Sequence, residues 1–300
     1  MTPRKIFLLS ACAALFVIAV VQSITKNINP VKIVSLKDDI TRINIVRPDE
    51  TIDLTKDGDT WIVNEKYRAK ESSCDDFISE FSAVKILNTV TKTDNEDVLA
   101  KYNLDSENVY TVTVYNGEKL LRTFYVGKTS STNAQSYMRI DGAKDVYLVS
   151  GSIQRDLEVS VDDVRSKLLF DFDKNDINTI AVELEDGRSW ALSRSADGTT
   201  WSISGADGIE IDGEKASSWF QNCATVSCNE WLSDGERAPG DKKVSATVMT
   251  NEKSVTLDLY ETIDEEGDSE FWGECSEMPY AFKTSLYIMQ RFKKNPEDFS

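Results

Sequence analysis

The chain of 300 residues contains no histidine. Histidine is the base of Ser-His-Asp and Cys-His nucleophile systems and the commonest ligand of hydrolytic metal centres, so its absence excludes those systems and most metal hydrolases. A Ser-Lys dyad or a pair of carboxylates remains possible, but no serine stands in a recognisable nucleophile motif. We therefore predict a non-enzymatic protein with no catalytic residue, no cofactor-binding residue and no metal ligand.

Basic residues are scarce relative to acidic ones. The 34 lysines and arginines face 51 aspartates and glutamates, which gives a formal net charge of −17 and an isoelectric point of about 4.5. Nucleic-acid binding needs a basic patch that releases counterions from phosphate, and this balance argues against it. It also argues against broad adhesion to an anionic membrane surface. We interpret the acidity as a means of solubility.

Cysteine is also rare, with five residues in the chain. Cys74, Cys223, Cys228 and Cys275 lie outside the N-terminal segment, and their even number permits disulfides in an exported protein. The alternative is four small buried apolar side chains, and the sequence leaves the two open. The spacing between Cys223 and Cys228 is not that of a zinc site.

The N-terminal segment has the order of an export signal. Arg4 and Lys5 precede an uncharged run from Ile6 to Val21, and a polar stretch to Lys26 follows. The run lies between the length of a cleaved signal and the roughly 20 residues that span a bilayer. No clear cleavage site follows Val21, so we predict an uncleaved signal anchor over residues 1–26, with a cleaved signal as the alternative. The positive-inside rule then places the rest of the chain outside the cytoplasmic membrane.

A third possibility for this segment is a lipoprotein. Leu9-Ser-Ala-Cys12 resembles the lipobox at which bacterial lipoproteins are cut and acylated. The residues after Cys12 continue apolar, whereas mature lipoproteins usually begin with a polar tether. We keep acylation of Cys12 as the minor alternative, and it too would tether the protein to a membrane.

Gly127-Lys128-Thr129 has the spelling of the end of a phosphate-binding loop. Such a loop needs a second glycine five residues earlier and a helix that begins at the lysine. The earlier position is Arg122, inside a predicted strand, and the residues after Thr129 are polar and lead into another strand. We therefore predict a turn, in which Gly127 relieves a tight bend, and no nucleotide site.

An internal repeat organises the chain. Several short patterns recur in the same order, which predicts two tandem copies of a unit of roughly 130 residues. The matched pairs are Lys37–Ile43 with Lys174–Ile180, Asp57–Ile62 with Asp197–Ile203, Phe77/Phe81/Val84 with Trp219/Cys223/Val226, and Val112–Lys119 with Ala246–Lys253. The third pair is spaced for one apolar face of a helix, which predicts a helix at this place in each copy. We place the first domain at residues 34–170 and the second, more divergent one at residues 171–300.

Each copy has the pattern of an α+β domain with an antiparallel sheet, because strands follow one another without helical crossovers. Asn116-Gly117 predicts a tight hairpin, and Asp141-Gly142 lies in the loop of a second one. Ile153, Leu157, Val161, Val164 and Leu168 then fall at helical spacing, which predicts a closing helix.

Three other features have alternative interpretations. Trp61 and Trp201 follow glycine turns and could stack on a sugar, but we predict that they fill the core. Asp171–Asp176 has the alternating oxygen ligands of a calcium loop, without its glycine and its bidentate glutamate, so we interpret it as a domain junction. The acidic stretch Asp264–Glu270 is typical of a solvated hairpin loop.

A set of motifs in the first copy resembles the bacterial domain of unknown function family numbered 4340. These motifs are Asp57-Gly58-x-x-Trp61, Leu99–Asp105, Val126-Gly127-Lys128, Tyr137–Gly142, Val146–Val149 and Val164–Lys167, and the second copy matches more loosely. The resemblance implies a repeat-built envelope protein with an N-terminal membrane segment, often encoded near gliding-type ABC transporter components. The family has no agreed catalytic residues, so the resemblance transfers none.

Our leading functional prediction is a non-catalytic, membrane-tethered extracytoplasmic protein that contacts a protein partner in the envelope, such as an ABC-type membrane complex. One alternative is a glycan or peptide binding module that uses aromatic residues near turns, such as Tyr137 and Trp272. The other alternative is a carboxylate-pair hydrolase of envelope polymers, which needs two facing carboxylates and a raised pKa on one of them.

Overall fold

The computed structural model describes residues 14–21 and 31–300. Residues 14–21 form a helix, α1, and each of the eight is exposed. The rest of the predicted anchor over residues 1–26, including Cys12, lies outside the described residues. In the part of the chain that the structure does describe, no helix combines the length and the apolar character needed to cross a membrane.

The chain divides into a first unit, Met1–Ser166, and a second unit, Lys167–Ser300. The division falls slightly before the predicted boundary at 170/171. The reason is that Leu168–Asp171 is a strand whose partner, Thr225–Ser227, belongs to the second unit. Both units are α+β, with antiparallel sheets and short helices, as predicted.

The first unit is built on one sheet. Its strands are β1 (Lys32–Ser35), β2 (Arg42–Val46), β3 (Thr51–Asp57), β4 (Thr60–Val63), β5 (Tyr67–Arg68), β6 (Ala83–Lys92), β7 (Tyr110–Asn116), β8 (Lys119–Thr129), β9 (Gln135–Ile140) and β10 (Asp145–Ser150). Their order across the sheet is β1-β6-β10-β9-β8-β7-β2-β3-β4-β5. The helices are α2 (Glu71–Ser82), α3 (Glu96–Leu99), α4 (Ile153–Asp156) and α5 (Val161–Val164), and a 3₁₀ turn at Ala100–Tyr102 follows α3.

The second unit has two sheets. Its strands are β11 (Leu168–Asp171), β12 (Ile177–Leu184), β13 (Ser189–Arg194), β14 (Trp201–Ser204), β15 (Thr225–Ser227), β16 (Glu230–Trp231), β17 (Asp241–Thr250), β18 (Ser254–Ile263), β19 (Ser269–Cys275) and β20 (Phe282–Thr284). The order in the larger sheet is β14-β13-β12-β17-β18-β19-β20-β16, and β11 pairs with β15. The helices are α6 (Gly213–Cys223) and α7 (Leu286–Phe292), and Pro296–Phe299 forms a C-terminal 3₁₀ turn.

The two strand orders correspond one to one over the larger sheet of the second unit. The order β4-β3-β2-β7-β8-β9-β10-β6 in the first unit matches β14-β13-β12-β17-β18-β19-β20-β16 in the second. In the first unit the long strand β6 pairs with both β1 and β10. In the second unit β15 takes the first of these pairings and β16 the second. Descent of the two units from one ancestral unit stays a prediction, which this correspondence supports.

Local sequence accounts for the hairpins. Gly117 has a positive φ of 55° between β7 and β8, and Asp141 and Gly142 have φ values of 51° and 70° between β9 and β10. Glycine and aspartate adopt this left-handed backbone at low cost, which closes the turns and fixes the register of the strands. Both predicted hairpins are confirmed.

Three local predictions are wrong. Gly127 does not lie in a turn, because β8 continues through it to Thr129 and the register shifts between Val126 and Thr129. The predicted closing helix over Ile153–Leu168 is two short helices followed by β11. It breaks because Ser160 begins α5 with its own capping box.

The third error concerns Val84 and Val226. Each was predicted to continue a helix, yet each lies on the strand that follows it, β6 or β15. Both valines are nevertheless buried, at 2% and 1% exposure. Ala83, the residue after α2, has an extended φ of −149°, so the chain passes directly from helix to strand at this point. A buried β-branched residue suits the second position of a strand as well as a further helical turn.

Each unit has its own core between sheet and helices. In the first unit Cys74, Phe77 and Phe81 of α2 are buried, and Trp61 packs with them at 5% exposure. In the second unit Trp201 is half-buried, and its ring meets that of Phe220 edge-on at 4.8 Å. The predicted core role of both tryptophans is confirmed. Cys74, Cys223, Cys228 and Cys275 are buried free thiols.

Candidate functional site

A cleft of about 650 Å³ opens in the first unit between α2 and the segment that carries α4 and α5. Its apolar surface comes from Phe77, Val159 and Val164, and three carboxylates, Asp76, Glu80 and Asp156, also line it. We call this feature, defined by these six residues, the acidic cleft. Asp163 and the exposed Arg155 also line it, so the cleft combines an apolar floor with predominantly negative charge.

Helix α2 supplies one wall. Phe77 turns towards the core and is 6% exposed, whereas Asp76 is exposed and Glu80 is half-buried. Side chains four residues apart lie on the same side of a helix, so Asp76 and Glu80 are neighbours. Two like charges at this spacing cost a helix roughly 0.2–0.5 kcal/mol. The presence of both carboxylates at the cleft therefore lowers the stability of α2 slightly.

Arg47 holds the opposite wall in place. Its side chain is 7% exposed, and its Nη1 donates hydrogen bonds to the carbonyl oxygens of Leu157 (2.7 Å) and Val159. Glu50 pairs with Arg47 and accepts a hydrogen bond from the backbone N–H of Val161 (3.1 Å). These contacts fix the connection between α4 and α5, which contributes Val159 to the cleft.

The electrostatics of the cleft centre on Glu80. Burial, and secondarily the nearby charges of Asp156 and Asp76, raise the pKa of its carboxyl to about 7. Its Oε1 lies close to Gly151, where an added Cβ would come within 3.2 Å. Within the described residues, none of the three carboxylates of the cleft forms an ion pair. The exposed Arg155 is the cation among the lining residues, and Asp163, also in the lining, accepts hydrogen bonds from Ser160.

A second pocket, of about 520 Å³, lies in the second unit, and its carboxylates do form ion pairs. Its carboxylates face each other across β18 and β19, because Asp258 and Glu274 are register partners. Glu274 accepts from Nη1 of Arg237 (3.1 Å) and from the backbone N–H of Ala238 (3.2 Å). Asp258 pairs with Lys242 at 3.8 Å. Arg237 and Lys242 thus offset the charges of Glu274 and Asp258, although the buried Oδ1 of Asp258 accepts no hydrogen bond within the described residues.

The second unit also contains the structural counterpart of the acidic cleft. The backbone N–H of Lys70, the N-cap of α2, donates to the carbonyl oxygen of Val164 at 2.7 Å. In the same way the backbone N–H of Asp212, the N-cap of α6, donates to the carbonyl oxygen of Phe299 at 2.7 Å. Val164 and Phe299 therefore occupy equivalent places.

Aromatic side chains fill this counterpart. The ring of Phe299 lies 4.9 Å from that of Trp219, which takes the place of Phe77, and 5.5 Å from that of Trp190. The indole N–H of Trp219 donates to the carbonyl oxygen of Arg291 at 2.8 Å. All three aromatic residues are at most 5% exposed. In the first unit the matching residues, Val164 and Phe77, are smaller but equally buried, at 1% and 6% exposure, and the acidic cleft opens beside them.

The other features singled out from the sequence have structural roles. Tyr137 and Trp272 are half-buried. The ring of Tyr137 packs on that of Tyr102 at 4.8 Å, and the indole N–H of Trp272 donates to Thr262 at 2.9 Å. Both rings therefore make structural contacts within their own unit. The glycan or peptide binding alternative stays a prediction.

The candidate ion sites likewise serve local structure. Asp171 accepts from the hydroxyl of Thr225, and Asp173 caps its own turn through the N–H of Asn175 (2.8 Å). The acidic stretch is an exposed hairpin loop between β18 and β19, as predicted, in which Asp264 accepts from two backbone N–H groups. Within residues 14–21 and 31–300, no group of three or more acidic or cysteine side chains has the geometry to hold a metal ion.

The glycine of the Gly-Lys-Thr stretch has a packing role. A Cβ on Gly127 would overlap the carbonyl oxygen of Tyr102 and come within 2.8 Å of Cγ of Leu104. Gly127 is therefore needed because the turn after α3 lies directly against β8. This contact joins two motifs of the family resemblance, Leu99–Asp105 and Val126–Lys128.

Sequence reasoning did not identify the acidic cleft. Its carboxylates come from segments about 80 positions apart, and neither segment carries a motif. The available signal was the Asp76–Glu80 pair, a like-charge pair at i,i+4 on a helix whose other face is apolar. Such a pair destabilises the helix by itself, so its presence can indicate a functional surface.

Comparison with known proteins gives one match. The profile of the family described as domain of unknown function (DUF4340) matches residues 93–246, slightly more than half of the chain. Searches of curated proteins and of solved structures returned no similar protein. The matched range contains β7 to β10 and the Gly127 contact, passes the division between the units, and ends in β17. The chain belongs to the DUF4340 family.

Proposed function

We propose that this protein is a non-catalytic, membrane-tethered extracytoplasmic protein that serves as an interaction or accessory subunit of an envelope complex, such as one of ABC-transporter type. The N-terminal segment holds it at the membrane, and the two α+β units present surfaces to a protein partner.

The observation that carries this proposal is the exposure of α1. Leu15, Phe16 and Ile18 are 66%, 70% and 52% exposed, and Val17, Val20 and Val21 are exposed as well. A surface helix of a globular domain buries an apolar stripe and shows a polar face to water, and α1 has no polar face. Burying these side chains in lipid would remove them from water at roughly 25 cal/mol per Å². Together with Arg4 and Lys5 before it, α1 supports a membrane anchor.

Membrane fractionation tests the tether. We expect the full chain, expressed in a bacterial host, to stay with the membrane after a carbonate wash. We also expect protease added to spheroplasts to digest the two units. A variant without residues 1–26 is the matched control and should appear in the soluble fraction. Recovery of the full chain in the soluble fraction would refute the tether.

Partner capture tests the accessory role. Gentle solubilisation of membranes followed by affinity purification of the tagged chain should recover a membrane or envelope protein in a fixed ratio. The same purification from a strain that expresses only residues 1–30 fused to the tag controls for adhesion of the anchor. Recovery of no envelope protein above that control would refute the accessory role.

A second candidate function is hydrolysis of an envelope polymer by a pair of carboxylates. The specific observation in its favour is Glu80, whose pKa of about 7 suits a general acid and which has two further carboxylates, Asp156 and Asp76, close by. Incubation of the purified chain with isolated cell-wall polymer tests it. Release of reducing ends that is lost in Glu80→Gln would support it, and no release by the wild type would exclude it.

A further inference from the structure

We propose that the acidic cleft is a docking site for a basic segment of the protein partner, in which an apolar or aromatic side chain lies on the floor and flanking lysines or arginines pair with Asp76, Glu80 and Asp156. This inference rests on the proposed accessory function and specifies which surface of the protein performs it.

The first argument is the apolar floor. Phe77 and Val164 line the cleft, and Val159 beside them is half-buried. A cleft of about 650 Å³ is large enough for an aromatic side chain and part of its backbone. An apolar side chain of the partner would find both space and apolar contacts there.

The second argument comes from the other unit of the same chain. At the equivalent place the second unit inserts its own Phe299 against Trp219 and Trp190. The fold therefore accepts an aromatic ring between the helix and the closing turn. In the first unit the smaller Val164 stands at this position, buried at 1% exposure, and the cleft opens beside it, where a ring from another protein can lie.

The third argument is charge complementarity. The three carboxylates form no ion pair within the described residues, although other acidic residues of this chain do, as Arg42 with Asp53 at 2.8 Å shows. Like charges gathered around one opening repel each other, and an incoming cation relieves that repulsion. The exposed Arg155 at the rim disfavours partners with adjacent positive charges on that side.

The charges also predict how binding depends on pH. The groups that face Glu80 are Asp76 on its own helix, Arg155 and Asp156 on α4, and Asp163 on α5. Because burial and these carboxylates raise the pKa of Glu80 to about 7, it carries a proton below neutral pH and a negative charge above it. A cationic segment binds the ionised form better, so affinity should rise between about pH 6 and pH 8.

The test uses the full chain in detergent micelles and a fluorescein-labelled pentapeptide in which two lysines flank a tryptophan. Fluorescence anisotropy should show saturable binding that is tighter at pH 8 than at pH 6. A peptide with serine in place of tryptophan should bind about tenfold more weakly, because it lacks the floor contact. A peptide with glutamates in place of the lysines should not bind.

Two charge variants locate the binding site. Glu80→Gln combined with Asp156→Asn should weaken binding by about tenfold or more. The matched control is Glu265→Gln combined with Glu266→Gln in the exposed loop of the second unit, which removes the same charge and should leave binding unchanged. Asp76→Asn is a single change at an exposed residue, and it keeps the test valid if the double variant does not fold.

Absence of saturable binding to the wild type would overturn the inference. Equal weakening by the control pair would also overturn it, because it would show attraction to net charge alone. The membrane fractionation described above separates the two proposals. If a cleft variant loses peptide binding but stays with the membrane, the result supports the cleft as the binding site and leaves the tether unaffected. If the wild-type chain is found in the soluble fraction, the tether is refuted and the cleft is not.

Discussion

The first and second units share a strand order and differ in what lies between helix and closing turn. In the first unit a cleft opens beside the buried Phe77 and Val164, and within the described residues its three carboxylates form no ion pair. In the second unit the space between helix and closing turn is packed by Trp190, Trp219 and Phe299. The backbone contact that positions the closing turn is the same in both, so the difference lies in the side chains.

The same contrast extends to the residues that fix the connection before the closing turn. In the first unit, Arg47 after β2 bonds to the carbonyl oxygens of Leu157 and Val159. In the second unit, Glu185 after β12 pairs with Lys293 and Lys243, each at 2.8 Å. The two residues do not occupy equivalent positions, because the repeat that aligns Ile43 with Ile180 aligns Arg47 with Leu184. Each unit thus fixes this connection with a charged residue of its own, a cation in the first unit and an anion in the second.

The largest effect is expected from removing an aromatic side chain of the second unit, which tests how much that unit depends on the packing of Phe299. Phe299→Ala should destabilise the second unit by about 3–5 kcal/mol, because it empties a site that Trp219 and Trp190 enclose. Chemical unfolding followed by tryptophan fluorescence measures this well, because five of the six tryptophans lie in the second unit. Val164→Ala, the matched change in the first unit, should cost about 1–2 kcal/mol. A cost for Phe299→Ala no larger than that for Val164→Ala would contradict the aromatic packing of the second unit.

The next effect concerns a contact present in the first unit. Gly127→Ala should destabilise that unit by about 2–3 kcal/mol, since the added Cβ would overlap the carbonyl oxygen of Tyr102 and approach Leu104. Gly58→Ala is the control: its φ is +58° but no atom lies within 4 Å of an added Cβ. It should cost about 1 kcal/mol from backbone conformation alone. Hydrogen exchange in β8 distinguishes the two, and a smaller effect for Gly127→Ala would contradict the packing role.

A third prediction uses helix capping. The side chain of Asp212 accepts from the N–H groups of Glu214 and Lys215, whereas Lys70, at the same place in α2, makes no side-chain cap. Asp212→Ala should therefore cost about 1 kcal/mol, and Lys70→Asp should stabilise the first unit by about 0.5–1 kcal/mol. Thermal unfolding of both variants measures the two shifts. A stabilising Asp212→Ala would show that the cap is not used.

The smallest effects come from pH and have opposite signs in the two units. Glu80 has a raised pKa of about 7, so its contribution to stability is present below the ordinary carboxyl pKa and is lost as the pH rises through 7. Glu80→Gln should therefore stabilise the first unit at pH 8 by about 1 kcal/mol after allowance for its partial exposure, and should have little effect at pH 4.

The counterpart is Glu185, whose pKa is lowered to about 2 by hydrogen bonds from Lys243 and Lys293. Its contribution is present above the ordinary carboxyl pKa and is lost as the pH falls towards 2. Glu185→Gln should slightly destabilise the second unit at neutral pH, and added salt should erase the difference. Denaturant midpoints at both pH values check the signs, and signs that agree between the units would contradict the assignment.

The sequence allowed prediction of the local structure wherever chemistry acts between near neighbours. Asn116-Gly117 and Asp141-Gly142 predicted two hairpins correctly, because their backbone conformation depends on the residues themselves. The α+β class followed from these elements and from the absence of helical crossovers.

The remaining features depend on distant contacts. Gly127 was wrongly predicted in a turn. Its role depends on Tyr102, which contacts it in the folded protein but is distant in the sequence. The helix from Ile153 was predicted too long, because its periodicity continues past the capping box of Ser160. The acidic cleft lies between α2 and α4, which are separated in the sequence by several strands. The pKa of Glu80 is raised only in the folded protein, where these two helices are close together.

Site-specific photocrosslinking in intact membranes tests the central claim. This claim is that the cleft beside the closing turn of the first unit receives a partner, whereas the second unit fills the equivalent place with its own aromatic side chains. A photoreactive residue replaces Ser73 at the cleft, and in a second strain it replaces Lys215, the corresponding residue of α6. We predict one discrete adduct from position 73, with a crosslinked peptide that carries lysine or arginine beside an apolar residue, and none from position 215. Equal adducts from both positions, or an acidic crosslinked peptide, would contradict the account.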